Sequence, residues 1–318
     1  MTIVGEQRGF RLGCGLVLAA ALLIVARSAT AQQVGILLSS EKPAYDEAVV
    51  GFRAALRKRY VDATFVNLGA VGDRGWREAL EQFSGACLLA VGSHALTALV
   101  AADPPQPIAF TMVLDPIDGG LLADGSPVRH RTAGAALNLS VETQLQVLHQ
   151  VLPEVRRIGG LTLPGRYAAW ERLGQDTARS LDMVWRPIHP ARLQEIPHAL
   201  AAAGPIAALI PAPDPDLLVP RAFRILSRLA QREQFGLITP SAQFVRAGAL
   251  MGMEAGWTEV GRLAAQQAAR LLAGERHITP LVVYPQVAHV WVNRQRARDL
   301  RLLGDLQPYP QLELWEGP

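Results

Sequence analysis

Short, uninterrupted apolar runs alternate with amphipathic segments along this chain, and the pattern occurs twice in succession. The first series places strands at residues 34–38, 64–68, 87–91 and 108–112. Helices are predicted between them at 45–60, 75–83 and 95–102. Tyr45, Ala48, Val49, Phe52, Ala55 and Leu56 share one helical face, and Asp46, Glu47, Arg53, Arg57 and Lys58 take the other. The second series places strands at 157–163, 183–188, 207–211 and 236–239, with helices at 141–151, 166–181, 193–203 and 217–234. Continuous apolar strands joined by helices imply parallel sheets covered on both faces. Two such series imply an α/β chain of two doubly wound, Rossmann-like lobes. A single barrel would need eight even units around one core.

The tail departs from this rhythm. Residues 249–253 are short and apolar, and 259–273 read as a helix stopped by Gly274. Residues 281–292 form a strand-like run interrupted by Pro285, which predicts an edge, a bend or a crossing between lobes. The Gly- and Ala-rich stretch 129–136 is the expected first crossing. The expected division is therefore 32–136 plus 249–273 for the N-terminal lobe, and 137–248 plus 274–292 for the C-terminal lobe and hinge crossings. Residues 293–318 are left as a C-terminal helix and tail.

Residues 1–31 read as a Sec-type signal peptide. Arg8 and Arg11 precede an uncharged Leu- and Ala-rich run, and Ala29-Thr30-Ala31 supplies the small residues before a cut at Gln32. The run is about ten residues, half of the roughly 20 a membrane span needs. Export would place the protein in the periplasm. The chain's formal charge is +3, and Arg8, Arg11 and Arg27 against Glu6 carry most of it. The remaining cations are dispersed, so composition gives no basis for a nucleic-acid partner. Cys14 falls in the leader, and Cys87 sits in an apolar run as a buried, inert thiol. The scattered His residues have no metal-ligand spacing, and no metal or cofactor is expected. Neither G-x-G-x-x-G after a strand, nor a P-loop, nor G-x-S-x-G, nor H-E-x-x-H occurs, so no catalytic residues are assigned.

Several stretches together resemble a known group. They are Val34-Gly35-Ile36-Leu37 with Gly51-Phe52, Leu114-Asp115-Pro116 before Gly119-Gly120-Leu121, and LHQVLPEVRRIG at 148–159. The others are FVRAGALMG at 244–252, Gly261-Arg262-Leu263-Ala264-Ala265 and Leu272-Ala273-Gly274-Glu275. Their order resembles that of the periplasmic substrate-binding proteins of ABC transporters, in the subfamily that takes amino acids and related small acids. The resemblance spans nearly all of the chain after residue 31. It implies a type I periplasmic-binding fold with a multi-strand hinge, a small-molecule ligand closed between lobes, and an ABC permease as partner to a monomer. The chain departs from the family pattern at Asn138-Leu139-Ser140-Val141, which lacks the usual Gly, at His94, and at Glu254.

In parallel sheets, ligands bind beyond the carboxyl ends of the strands. The candidate positions are Ser39, Ser40, Ser93, His94 and Asp115 in the first lobe, Asn138 at the crossing, and Tyr167, Asp214 and Ser241 in the second. Ser39, Ser40, Ser93 and Ser241 suit a carboxylate, or cap helices instead. Asp115 and Glu254 suit an ammonium, or serve as turn and loop charges. Tyr45, Tyr167 and Trp257 suit a flat ligand, or pack as core. His94 suits a hydrogen bond to ligand, or caps the following helix. Two rivals stay open: a ligand sensor acting on a membrane partner, and a two-lobed enzyme.

Overall fold

The computed structural model describes residues 32–122, 131–275 and 277–317. The proposed leader, and residues 129 and 130 of the expected crossing, lie outside them. Strands β1 (Gln33–Leu38), β2 (Thr64–Ala70), β3 (Cys87–Val91), β4 (Ile108–Val113), β5 (Thr132–Ala136) and β11 (Val282–Val283) form a parallel sheet in the order β11-β5-β4-β3-β1-β2. β3 and β4 are buried at every residue, so their sequences carry no alternation. Helices α1 (Pro43–Arg59), α2 (Trp76–Gln82) and α3 (Ser93–Ala102) link the strands.

The second sheet contains β6 (Arg157–Leu161), β7 (Val184–Ile188), β8 (Ala208–Pro211), β9 (Gly236–Thr239), β10 (Met251–Glu254), β12 (His289–Asn293) and β13 (Leu312–Trp315). Its order is β13-β12-β10-β9-β8-β6-β7. The β10–β12 pair is antiparallel, and the other pairs are parallel. Helices α4 (Val141–Val151), α5 (Ala168–Ser180), α6 (Ile196–Ala203), α7 (Pro220–Glu233) and α8 (Ala242–Arg246) belong to this lobe. Helix α9 (Trp257–Leu272) leaves β10 and packs in the first lobe, where Val260, Ala264 and Ala268 join Ala48, Phe52 and Leu56 of α1. Helix α10 (Arg294–Asp299) follows β12, with the Asn293 side chain accepting from Arg296 N.

Three local differences from the sequence reading have local causes. Helix α5 begins at Ala168, because Tyr167 takes a left-handed conformation. The segment 193–203 splits into a 3-10 turn and α6. Helix α7 begins at Pro220, because the Asp214 carbonyl holds Leu217 N and Leu218 N in a turn before it.

The expected division needs correction at its sheet assignments. Residues 132–136 are a strand of the first sheet, and the first crossing is 137–140. β10, expected in the N-terminal lobe, pairs with β9 and β12 of the second sheet. β11, expected in the C-terminal lobe, extends the first sheet beside β5. The tail supplies β13, which pairs with β12. Short apolar runs reveal a strand without revealing its neighbour, which depends on contacts distant in sequence. The bend at Pro285 is a crossing, since β11 and β12 lie in different sheets.

Candidate ligand cleft

Strands of both sheets end at the boundary between the lobes, where the crossings at 137–140, 255–256 and 284–288 also lie. Two cavities occupy this boundary. The larger has about 290 Å³ and is walled by Leu114 of the first lobe, Leu137 of the first crossing, and Pro213, Ile238, Phe244 and Met253 of the second lobe. Asn138, Gln144, Thr239, Ser241 and Glu254 are its polar members, and Trp257 stands beside them. The smaller cavity, about 140 Å³, is bounded by Asp115, Asp118, Asn138, Ser140, Trp170 and Tyr284. Asn138 belongs to both.

Asn138 is buried because it holds the loop after β4. Its Oδ1 accepts from Asp115 N at 2.9 Å, and its Nδ2 donates to Leu139 O at 3.2 Å. Asp115 has φ of 21°, a backbone geometry uncommon outside glycine. Its Oδ1 accepts from Asp118 N at 3.3 Å. Burial, followed by the Asp118 charge, pushes the Asp115 carboxyl up to about 6, against hydrogen bonds from Asp118 N, Tyr284 and Ile117 N. Burial and the Asp115 charge raise Tyr284 in turn. Asp118 reaches into the second lobe, where its Oδ2 accepts from Trp170 N in the first turn of α5 at 2.7 Å. Carboxylates are favourable at helix N-termini, so this contact fastens one lobe to the other.

Glu254 ends β10 and turns back, and its Oε1 accepts from Ala242 N at 2.6 Å. Ser241 precedes that turn. Thus Asn138, Ser241 and Glu254 meet in the larger cavity, and Asp115 and Asn138 in the smaller.

The other candidates line neither cavity. Ser39 Oγ accepts from Ala95 N at 2.9 Å and so caps α3. Tyr45 bonds to Ser39, and its hydroxyl is raised by burial. Gly92, at φ 89°, leaves no room beside them, since a Cβ there would lie 2.6 Å from Ser39 Oγ and from Tyr45 Oη. Ser40 and Ser93 are half-buried at the same edge, and His94 is exposed. Tyr167 is buried and donates to Pro213 O at 3.0 Å, tying together the loops after β6 and β8. Burial, then the Asp214 charge, raises its hydroxyl. Asp214 is fully buried. Its Oδ1 accepts from Asp216 N at 2.8 Å, and Oδ2 lies 3.2 Å from Arg166. Burial raises its carboxyl despite these partners. Tyr167 and Asp214 therefore shape the cleft from behind its walls.

Sequence reading missed Asp118, Trp170 and Tyr284. Asp118 stands beside Gly119-Gly120, and Tyr284 beside Pro285, so each neighbours a turn signal that was read. Trp170 gave no signal, because its role depends on the approach of the other lobe. Among the described residues, none lining either cavity is Lys, Arg or His. No cluster of His, Cys, Asp and Glu suited to a metal ion occurs among them, and no described helix is long and apolar enough to cross a membrane.

Residues 33–303 match the ABC transporter substrate binding protein family. No curated protein matches the chain. Among solved structures, a ligand-free, open substrate-binding protein with adhesive properties from Clostridium difficile is 20% identical. It aligns over 90% of this chain and 100% of its own, with a TM-score of 0.62. An ABC domain in complex with L-Trp from Streptococcus pneumonia is 14% identical over 89% of this chain and 100% of its own, at TM-score 0.55. A periplasmic ribose ABC transporter protein from Conexibacter woesei is 13% identical over 85% and 95%, at TM-score 0.52. At these identities the likeness concerns the fold.

Proposed function

The chain belongs to the ABC transporter substrate-binding protein family, and from that premise we propose that it captures a small solute between its lobes and presents it to an ABC permease of the inner membrane. Residues 1–31 direct it to the periplasm and are removed before Gln32. The observation that carries this reading is the larger cavity, whose wall comes from both lobes and from the crossings between them. A guest seated there touches both lobes at once only when they are together. Its contacts therefore favour the closed arrangement, and only such differential contact shifts the balance between open and closed forms. The reading is binding without turnover.

A thermal-shift screen of the purified protein against amines, amino acids, sugars and nucleosides tests it. A ligand at one hundred times its Kd adds about 2.7 kcal/mol of stability, which moves the melting temperature by several degrees. A class that raises the melting temperature and is recovered unchanged supports the reading. Chemical conversion of the added compound would favour the enzyme alternative and overturn it.

A further inference from the structure

We propose that the guest of the larger cavity is an amine on an apolar, ring-sized body, without a carboxylate. This inference rests on the solute-binding reading and adds its ligand class. An anion in a parallel α/β cleft ordinarily uses helix N-termini or basic side chains. Four helix N-termini around the cleft are already partly held by the chain itself, whereas that of α9, at Trp257, has no side-chain cap. Ser39 Oγ takes Ala95 N of α3, Ser140 Oγ takes Thr143 N of α4, Asp118 takes Trp170 N of α5, and Glu254 takes Ala242 N of α8. Two of these four caps are carboxylates, so an incoming anion meets negative charge where it would need positive. The basic option is closed. The linings hold no Lys, Arg or His among the described residues, and Arg166, beyond them, lies 3.2 Å from Asp214 and 3.3 Å from Asp216.

A buried charge needs a partner. A guest carboxylate in this space finds no cationic side chain among the described residues, only neutral donors such as the Ser241 hydroxyl and the first turn of α9, whereas an ammonium finds the Glu254 carboxylate. Glu254 Oε1 is engaged by Ala242 N, and no bond to its Oε2 is found among the described residues. The remaining wall of Leu, Pro, Ile, Phe and Met suits a hydrocarbon or aromatic body. A volume of about 290 Å³ is at the small end of ligand sites, room for one compact ring system.

Calorimetric titration of the purified protein with four compounds of one shape tests the inference: tryptamine, tryptophan, indole-3-acetate and tryptophol. Tryptamine is expected to bind at least tenfold more tightly than each of the other three. Glu254→Gln, which keeps an acceptor for Ala242 N, is expected to weaken tryptamine at least tenfold while leaving tryptophol unchanged. Tryptophan or indole-3-acetate binding as well as tryptamine would overturn the amine class while leaving solute binding intact. Tryptophol equal to tryptamine would do the same, since charge would not be read. If none of the four binds but a sugar or nucleoside raises the melting temperature, the amine class falls and the binding reading stands. If no compound of any class does so, the binding reading itself fails.

Discussion

Asp115 is ionised only at a cost to the fold. Its carboxyl moves from 3.8 to about 6, first through burial and then through Asp118. Between those values the native protein holds a proton that the unfolded chain has released. Stability contributed by the neutral carboxyl is therefore complete below about pH 4, declines as pH rises, and is lost above about pH 6. Asp115→Asn removes the ionisation and leaves a polar side chain for Asp118 N and Tyr284. Near pH 7.5 the variant should exceed wild type by up to about 3 kcal/mol, and near pH 4 the two should converge. Urea unfolding at both pH values checks this, and an offset that is constant with pH would contradict it. Cys87 gives a second expectation at this scale. Burial pushes its thiol up to about 12, so the native protein should resist iodoacetamide at pH 8 and react fully once unfolded.

Helices α1 and α9 touch backbone to backbone, which gives two glycines quoted as family motifs a physical reason. A Cβ on Gly261 would lie 1.8 Å from Ala48 O, and one on Gly51 would lie 2.1 Å from Thr258 O. Gly261→Ala must push the helices apart and should cost about 1–3 kcal/mol. Gly72→Ala, with nothing within 4 Å of its Cβ, serves as the control and should melt close to wild type. The motif was legible in the chain, but its cause was not, because the contact joins segments far apart in sequence. The same distinction holds for the strands. β3 and β4 announce themselves as unbroken apolar runs because both faces are buried. β13 does not, because its half-buried and exposed residues give the weak pattern of an edge. In the cleft, Asn138, Ser241 and Glu254 were legible because each follows a strand or a crossing. Ser39 was read at the correct strand end, yet its oxygen goes to a helix cap rather than to a cavity.

For the molecule as a whole, the crossings set how the lobes can move, and the contacts spanning the cleft set where the balance lies. Asp118 is the clearest such contact, a carboxylate of the first lobe bonded to the first turn of a helix of the second. A charge-assisted hydrogen bond of this kind is worth about 1.5–3 kcal/mol. If the proposed closing motion exists, loss of this bond favours separated lobes in the absence of ligand. Asp118→Ala should then raise the ratio of open to closed forms about tenfold or more, since 1.4 kcal/mol corresponds to a factor of ten. Ligand affinity should fall by the same factor where wild type is mostly open, and only slightly where it is mostly closed, because the apparent affinity scales with the closed fraction. Small-angle scattering of ligand-free wild type and variant measures the first effect, as a larger radius of gyration that returns to the wild-type value at saturating ligand. A radius unchanged by the substitution, with affinity also unchanged, would mean that the lobes are held by their packed crossings and that the Asp118 bond has no part in closure.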